Sequence, residues 1–263
     1  MLLPSTLQML QGCSADRNPT FKIFDSLGYD QKPQVGFTPL HIVDRGFWKT
    51  PARLDLDRSA CERIARKVAT KFSYLVIDIE HWQVDRHRDP IAEVKTSINK
   101  FVEVLGWMRS AAPSLKLSLY AIPPLRDYWS PVGRQTERLA AWRESNRFLK
   151  PIADACDFIS PSLYTFYKDI PGWVTYAKAN IAEAQQYGKP VYPFLWSRFH
   201  STQSHGFQFI PGDYWRTQLE TVRSQGADGL VLWDWGGYDR PTAKALDTRQ
   251  GWWQETIKFS QTL

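Results

Sequence analysis

The chain has 263 residues, 43 % of them hydrophobic and 23 % charged, an ordinary globular balance at a length that suits one α/β barrel of about 250 residues. Its formal charge of +6 is spread along the sequence rather than gathered in a run, which argues against a nucleic-acid-binding tail and leaves a preference for anionic partners, acidic polysaccharides among them. No stretch approaches 18 uninterrupted apolar residues, so no transmembrane segment is expected; Cys13, Cys61 and Cys156 are too scattered for a disulfide framework or a metal cluster.

Residues 1–18 read as an N-terminal arm or a residual signal region. They are apolar and run into Leu10-Gln11-Gly12-Cys13, which faintly resembles the tail of a lipoprotein signal, but a basic start is lacking. The compartment stays open, with a secreted or periplasmic location the favoured side. Residues 19–263 read as one domain. Short runs rich in β-branched and aromatic residues predict strands at 21–26, 35–43, 74–80, 115–122, 158–164, 191–196 and 229–235. Helices with readable ends lie between them. Ser59 and Glu62 have the spacing of a capping box. Asp89-Pro90 is a good helix start, after which Ile91, Val94, Ile98, Val102, Leu105 and Met108 keep helical spacing. Segments from Trp173 and Tyr214 run to Gly188 and Gly226, where a helix C-terminus favours glycine. Seven strands alternating with helices predict parallel βαβ units. A doubly wound open sheet fits the alternation too. A single (β/α) TIM-like barrel, distorted and seven-stranded, is preferred because polar and aromatic residues recur at the C-terminal ends of several strands, where barrel enzymes place their chemistry.

The strongest local signal is Tyr74-Leu75-Val76-Ile77-Asp78-Ile79-Glu80-His81-Trp82. An apolar strand ends in two carboxylates at i and i+2, which strand periodicity puts on one face about 6.5–7 Å apart. Repulsion and partial burial raise the pKa of one member of such a pair, leaving a carboxylic acid protonated near neutral pH, which suits it to protonate a glycosidic leaving group. The alternative is a structural pair held by arginine or backbone donors. Other strands deliver Tyr120; Ser160, Ser162 and Tyr164; Tyr192, Trp196 and then Arg198; and Trp233, Asp234 and Trp235 before Gly236-Gly237. Singly each aromatic is best read as core, and Arg198 is balanced between an ion pair and a substrate contact. Together they describe a ring of hydroxyls and indoles around the acids, a fair description of a sugar cleft.

These segments resemble the hyaluronidase family of glycoside hydrolases. Asp78-Ile79-Glu80-His81-Trp82 matches its D-x-E-x-W segment, and Leu119-Tyr120-Ala121-Ile122-Pro123 is similar to its tyrosine-and-proline strand. Ser160-Pro161-Ser162-Leu163-Tyr164 resembles its P-S-x-Y strand and Pro190-Val191-Tyr192-Pro193-Phe194 its P-V-x-P strand. Gly226-Ala227-Asp228-Gly229-Leu230-Val231-Leu232-Trp233 resembles its final strand. The resemblance implies a distorted α/β barrel and a retaining, substrate-assisted hydrolysis of an amino-sugar-containing polysaccharide or oligosaccharide, a recognised exception to the two-carboxylate scheme. It assigns Glu80 as acid and base, Asp78 and Tyr164 as the groups that orient the acetamido group, Tyr120 as a flank of the reacting sugar and Trp233 as the surface behind the acetamido methyl. Apart from the resemblance, Trp82, Trp196, Arg198, Asp234 and Trp235 are further candidate substrate contacts. The family's arginine after the D-x-E-x-W tryptophan is replaced by Gln83. A glycosidase acting on a polymer without acetamido groups through two protein carboxylates, and a non-catalytic carbohydrate-binding barrel, are the alternatives.

Other signals are weaker. His81 should face away from both carboxylates, so no metal site is expected. His200 and His205 read as a solvated loop, and His87 between Arg86 and Arg88 as an exposed basic turn. There is no G-x-S-x-G elbow, phosphate-binding glycine loop, C-x-x-C or H-E-x-x-H, and no cofactor is expected. Neither is a nucleic-acid partner, for want of a matching motif.

Overall fold

The structure, a computed structural model, describes residues 21–236 and 245–263. The expected arm at 1–18, Cys13 and Gly237 lie outside the described residues. Two all-parallel sheets form the framework, one ordered β2-β1-β7-β6 and the other β3-β4-β5. Their strands are β1 (Lys22–Gly28), β2 (Thr38–Pro39), β3 (His41–Val43), β4 (Tyr74–Ile77), β5 (Lys116–Leu119), β6 (Phe194–Trp196) and β7 (Gly229–Trp235).

The sheets close into a ring at two seams. Residues 38–43 pair with β1 through β2 and with β4 through β3, so one stave belongs to both sheets. Opposite, residues 158–164 bond to β5 and to the β6 stave through isolated bridges, Tyr120 to Ser160, Ile159 to Val191 and Ser162 to Phe194. Seven staves therefore surround the axis, as the sequence pattern predicts, but 158–164 is not a regular strand. Pro161 within it and Pro193 beside it lack the N–H that a ladder needs. Within the first sheet β1 and β7 approach closely: a Cβ on Gly229 would run into the Lys22 carbonyl, so only glycine allows that approach.

Side-chain alternation sorts the apolar residues into three clusters. Phe24, Val76, Tyr120, Phe158, Tyr164, Phe194 and Val231 fill the barrel interior. Outward residues of β3, β4 and β5 pack under α1 (Arg58–Ala69), α2 (Ile91–Ala111) and α5 (Lys150–Ala155). Those of β1, β6 and β7 pack under α6 (Ile170–Gln185), α7 (Gly212–Ser224) and α8 (Gly251–Ser260). Helix α2 buries Val94, Ile98, Leu105 and Met108 at the expected spacing. Both α6 and α7 end just before glycines with positive φ, Gly188 and Gly226. The expected capping box is corrected: α1 starts earlier, capped by the Asp57 carboxylate accepting from the Ala60 N–H, while Glu62 pairs with Arg58 and Arg66. A carboxylate in reach of free N–H groups is a strong cap and satisfies them first. Two further helices, α3 (Trp129–Val132) and α4 (Thr136–Phe148), follow β5 and build one wall above the barrel mouth. No helix among the described residues is long and apolar enough to cross a membrane.

Candidate active site

Val76 points into the barrel, and two-residue alternation carries that direction past the end of β4 to Asp78. Asp78 is half-buried and Glu80, at the mouth, is exposed. Burial, then the negative charges of Glu80 and Asp44, pushes Asp78 up to about 7. Asp78 thus holds a proton near neutrality because it is partly buried beside two other carboxylates. The third charge was not singled out from sequence. Asp44 follows β3 as Asp78 follows β4, and the Asp78 N–H donates to the Val43 carbonyl at 2.9 Å. Arg45 grips the Asp44 carboxylate at 2.8 Å through both oxygens and holds it below its ordinary range. Among the described residues no hydrogen bond or ion pair ties down Glu80.

Inward residues of the later staves form an aromatic wall. The Tyr120 hydroxyl lies 2.9 Å from the Ser162 hydroxyl, and burial raises its pKa. Tyr164 stacks on Trp233 with ring centres 5.6 Å apart and touches Tyr120 at 5.7 Å and Trp196 at 5.3 Å. Trp196 and Trp233 meet edge to face at 5.1 Å. The structure therefore brings Tyr120, Tyr164, Trp196 and Trp233 together. Trp235 stands exposed at the rim, its ring beside Gly28. Trp82 is mostly buried in the layer outside the barrel, packed on Trp48 and Phe101, with an edge at the cleft.

Arg198 and Asp234 are corrected as substrate contacts. They form an ion pair at 3.1 Å with 2 % and 1 % exposure. Asp234 alternates with Trp233 and so faces outward, where it also accepts from Tyr29, the Trp196 Nε1, Ser197 and the Trp235 N–H. A buried carboxylate needs such partners, and they occupy it.

Glu80 opens onto a cleft of about 880 Å³, toward the top of the range of about 300–1,000 Å³ usual for ligand sites. The wall built from α3 and α4 supplies residues that carry no sequence motif. Trp129 is 56 % exposed, with Tyr167 at 5.1 Å and Tyr128 at 5.1 Å bracing its ring. Arg126 lies over the Phe166 ring at 4.7 Å, and Arg138 also lines the space. Two other carboxylates line the cleft, and both are engaged: Asp85 accepts from Ser145 and pairs with Arg88, while Asp127 accepts from the Ser130 N–H. His200 leaves its expected solvated loop. It is half-buried, 4.5 Å from the Phe166 ring and 6.5 Å from that of Tyr164. His87 stays exposed as expected and reaches Glu144 at 3.1 Å.

No protein-family model matches the sequence, and no curated protein matches it. Solved structures do resemble the fold. Bee venom hyaluronidase aligns over 92 % of this chain and 96 % of its own with a TM-score of 0.59 at 14 % identity, and its complex with a hyaluronic acid tetramer gives the same values. A Bacteroidetes-affiliated GH5 cellulase linked with a polysaccharide utilization locus aligns over 91 % of this chain and 90 % of its own, with a TM-score of 0.51 at 12 % identity. The chain therefore adopts a distorted (β/α) TIM-barrel fold.

Proposed function

We propose that this chain is a retaining glycoside hydrolase, resembling hyaluronidases, that cleaves an amino-sugar-containing polysaccharide with Glu80 as acid and base. One observation carries the reading: at the C-terminal mouth of the barrel an unpaired, exposed Glu80 shares a face with a deeper Asp78 whose proton is retained to about pH 7. An acetamido N–H hydrogen-bonded to Asp78 favours its carboxylate, so binding releases the proton that Asp78 holds. That proton becomes available beside Glu80, the residue that must donate one to the leaving oxygen.

In the first step the acetamido oxygen of the substrate attacks the anomeric carbon. The glycosidic C–O bond breaks, and its electron pair stays on the leaving oxygen, which takes the Glu80 proton. Asp78 accepts from the acetamido N–H as positive charge grows there, and the Tyr164 hydroxyl orients the group against Trp233. In the second step water adds to the anomeric carbon from the vacated face and gives its proton to Glu80. The ring formed with the acetamido oxygen opens and configuration is retained. The engaged state of Asp85 and Asp127 supports the sugar, rather than a second protein carboxylate, as the nucleophile. Arg126 and Arg138 in the cleft support an anionic polymer.

Glu80→Gln should lower kcat about a thousandfold, the range of a lost general acid, with little change in Tm because Glu80 is exposed and unpaired. Hydrolysis retained in that variant removes Glu80 from the role. A panel of acidic and amino-sugar polysaccharides, read by reducing-end release, finds the substrate. Equal cleavage of a polymer lacking acetamido groups overturns the substrate-assisted step.

A further inference from the structure

His200 was read from sequence as a loop residue, and the mechanism above gives it no task. Its surroundings are specific. The backbone N–H of His200 donates to the Thr165 carbonyl at 2.8 Å, which fixes the residue beside the end of the 158–164 stave. Its ring then stands among Phe166, Tyr164 and Trp196, with centres 4.5, 6.5 and 6.0 Å away.

The hydrogen bonds settle which nitrogen carries the proton. The Thr202 backbone N–H donates to Nδ1 at 3.3 Å, so Nδ1 is an acceptor. With Nδ1 an acceptor and so without a hydrogen, the Thr202 hydroxyl, 3.0 Å from the same nitrogen, is the donor of that contact as well. An imidazole whose Nδ1 accepts twice carries its hydrogen on Nε2. Burial, then the positive charge of Arg126, lowers the His200 pKa, which keeps the ring neutral at neutral pH. Among the described residues nothing accepts from Nε2, and this nitrogen is not among the buried, unpartnered atoms, so it meets solvent. What remains is a fixed, neutral N–H donor at the rim of the aromatic wall.

We propose that His200 is a substrate-contacting residue whose Nε2–H donates a hydrogen bond to an oxygen of the sugar held at the barrel mouth. The assignment rests on the glycosidase reading given above. A neutral donor suits a sugar hydroxyl or amide oxygen, whereas a charged imidazolium beside Arg126 would be repelled. Phe166 on the ring face and Thr202 on Nδ1 remove the rotations that would otherwise cost entropy when the bond forms.

The test separates the two ring nitrogens. In the Glu80→Gln background, which binds without turnover, a tetrasaccharide of β-1,4-linked N-acetylglucosamine is titrated calorimetrically. His200→Ala and His200→Asn, the latter keeping only an Nδ1-like atom, should weaken binding about tenfold, one neutral hydrogen bond. His200→Gln, whose amide nitrogen takes the place of Nε2, should stay within about threefold of the parent. Asparagine binding like the parent, or all three variants binding alike, would overturn the assignment and leave His200 a loop anchor. A parent that binds neither this tetrasaccharide nor any member of the panel of acidic and amino-sugar polysaccharides sinks the glycosidase reading along with it.

Discussion

Asp78→Asn should make the protein more stable above neutral pH while destroying its activity. At pH 8 the folded chain holds Asp78 ionised against burial and two neighbouring negative charges. The gap between its ordinary 3.8 and about 7 corresponds to about 4 kcal/mol at roughly 1.36 kcal/mol per pH unit. Asp78 keeps some contact with solvent, and water relaxation roughly halves that figure, to about 2 kcal/mol. The direction follows from proton binding: between about pH 4 and pH 7 the native state holds more protons at this site than the unfolded chain, so stability falls as pH rises through that window and then levels off. Asparagine carries no charge to bury. Thermal unfolding of both proteins from pH 4 to pH 9 should therefore give similar Tm values at the acid end and a variant about 5 °C more stable at pH 8. A gap that is the same at both ends, or a variant less stable at pH 8, refutes the reasoning.

Arg198→Met should cost about 3 kcal/mol, because it strands Asp234 as a buried charge short of a cation; a Tm loss of roughly 10 °C by calorimetry checks it, and an unchanged Tm contradicts it. Trp129→Ala removes an exposed ring and should leave Tm within about 2 °C. In steady-state kinetics it should raise KM about fivefold for chains long enough to reach α3 while sparing short ones, an effect on the order of one aromatic contact; a uniform loss in kcat would place Trp129 outside the binding path.

Strand β7 was legible because 229–235 is an apolar run with valine and two tryptophans, and the structure assigns those same limits. The same alternation already implied that Asp234, next to the inward Trp233, faces away from the axis, yet its company of tryptophans suggested the mouth. Residues 158–164 read as a strand although prolines break the ladder there, because side-chain period survives where hydrogen bonding does not. Asp78 and Glu80 were visible since two acids closing an apolar strand demand an explanation. Asp44 was not, because one acid among charged loop residues becomes informative only when a neighbouring strand sets it beside another. Arg126 lies in the loop after β5, Trp129 opens the four-residue α3 and Arg138 lies in the first turn of α4, and none of the three belongs to a motif that marks a site. His200 gains meaning only from Thr202 and Phe166.

The two seams divide the barrel into a half built on β3, β4 and β5 and a half built on β1, β6 and β7, each with its own outer core. Amide exchange should accordingly sort into two protection groups rather than one. The division does not follow chain order, since β1 is registered against β7 from Lys22↔Gly229 to Gly28↔Trp235, partners roughly 200 residues apart whose loop must close before they meet. Strand β1, synthesised long before its partner β7, is thus among the last to be seated, and the ring closes only when the two meet, whereas the carboxylate pair is already flanked by β3 and β5 within its own sheet.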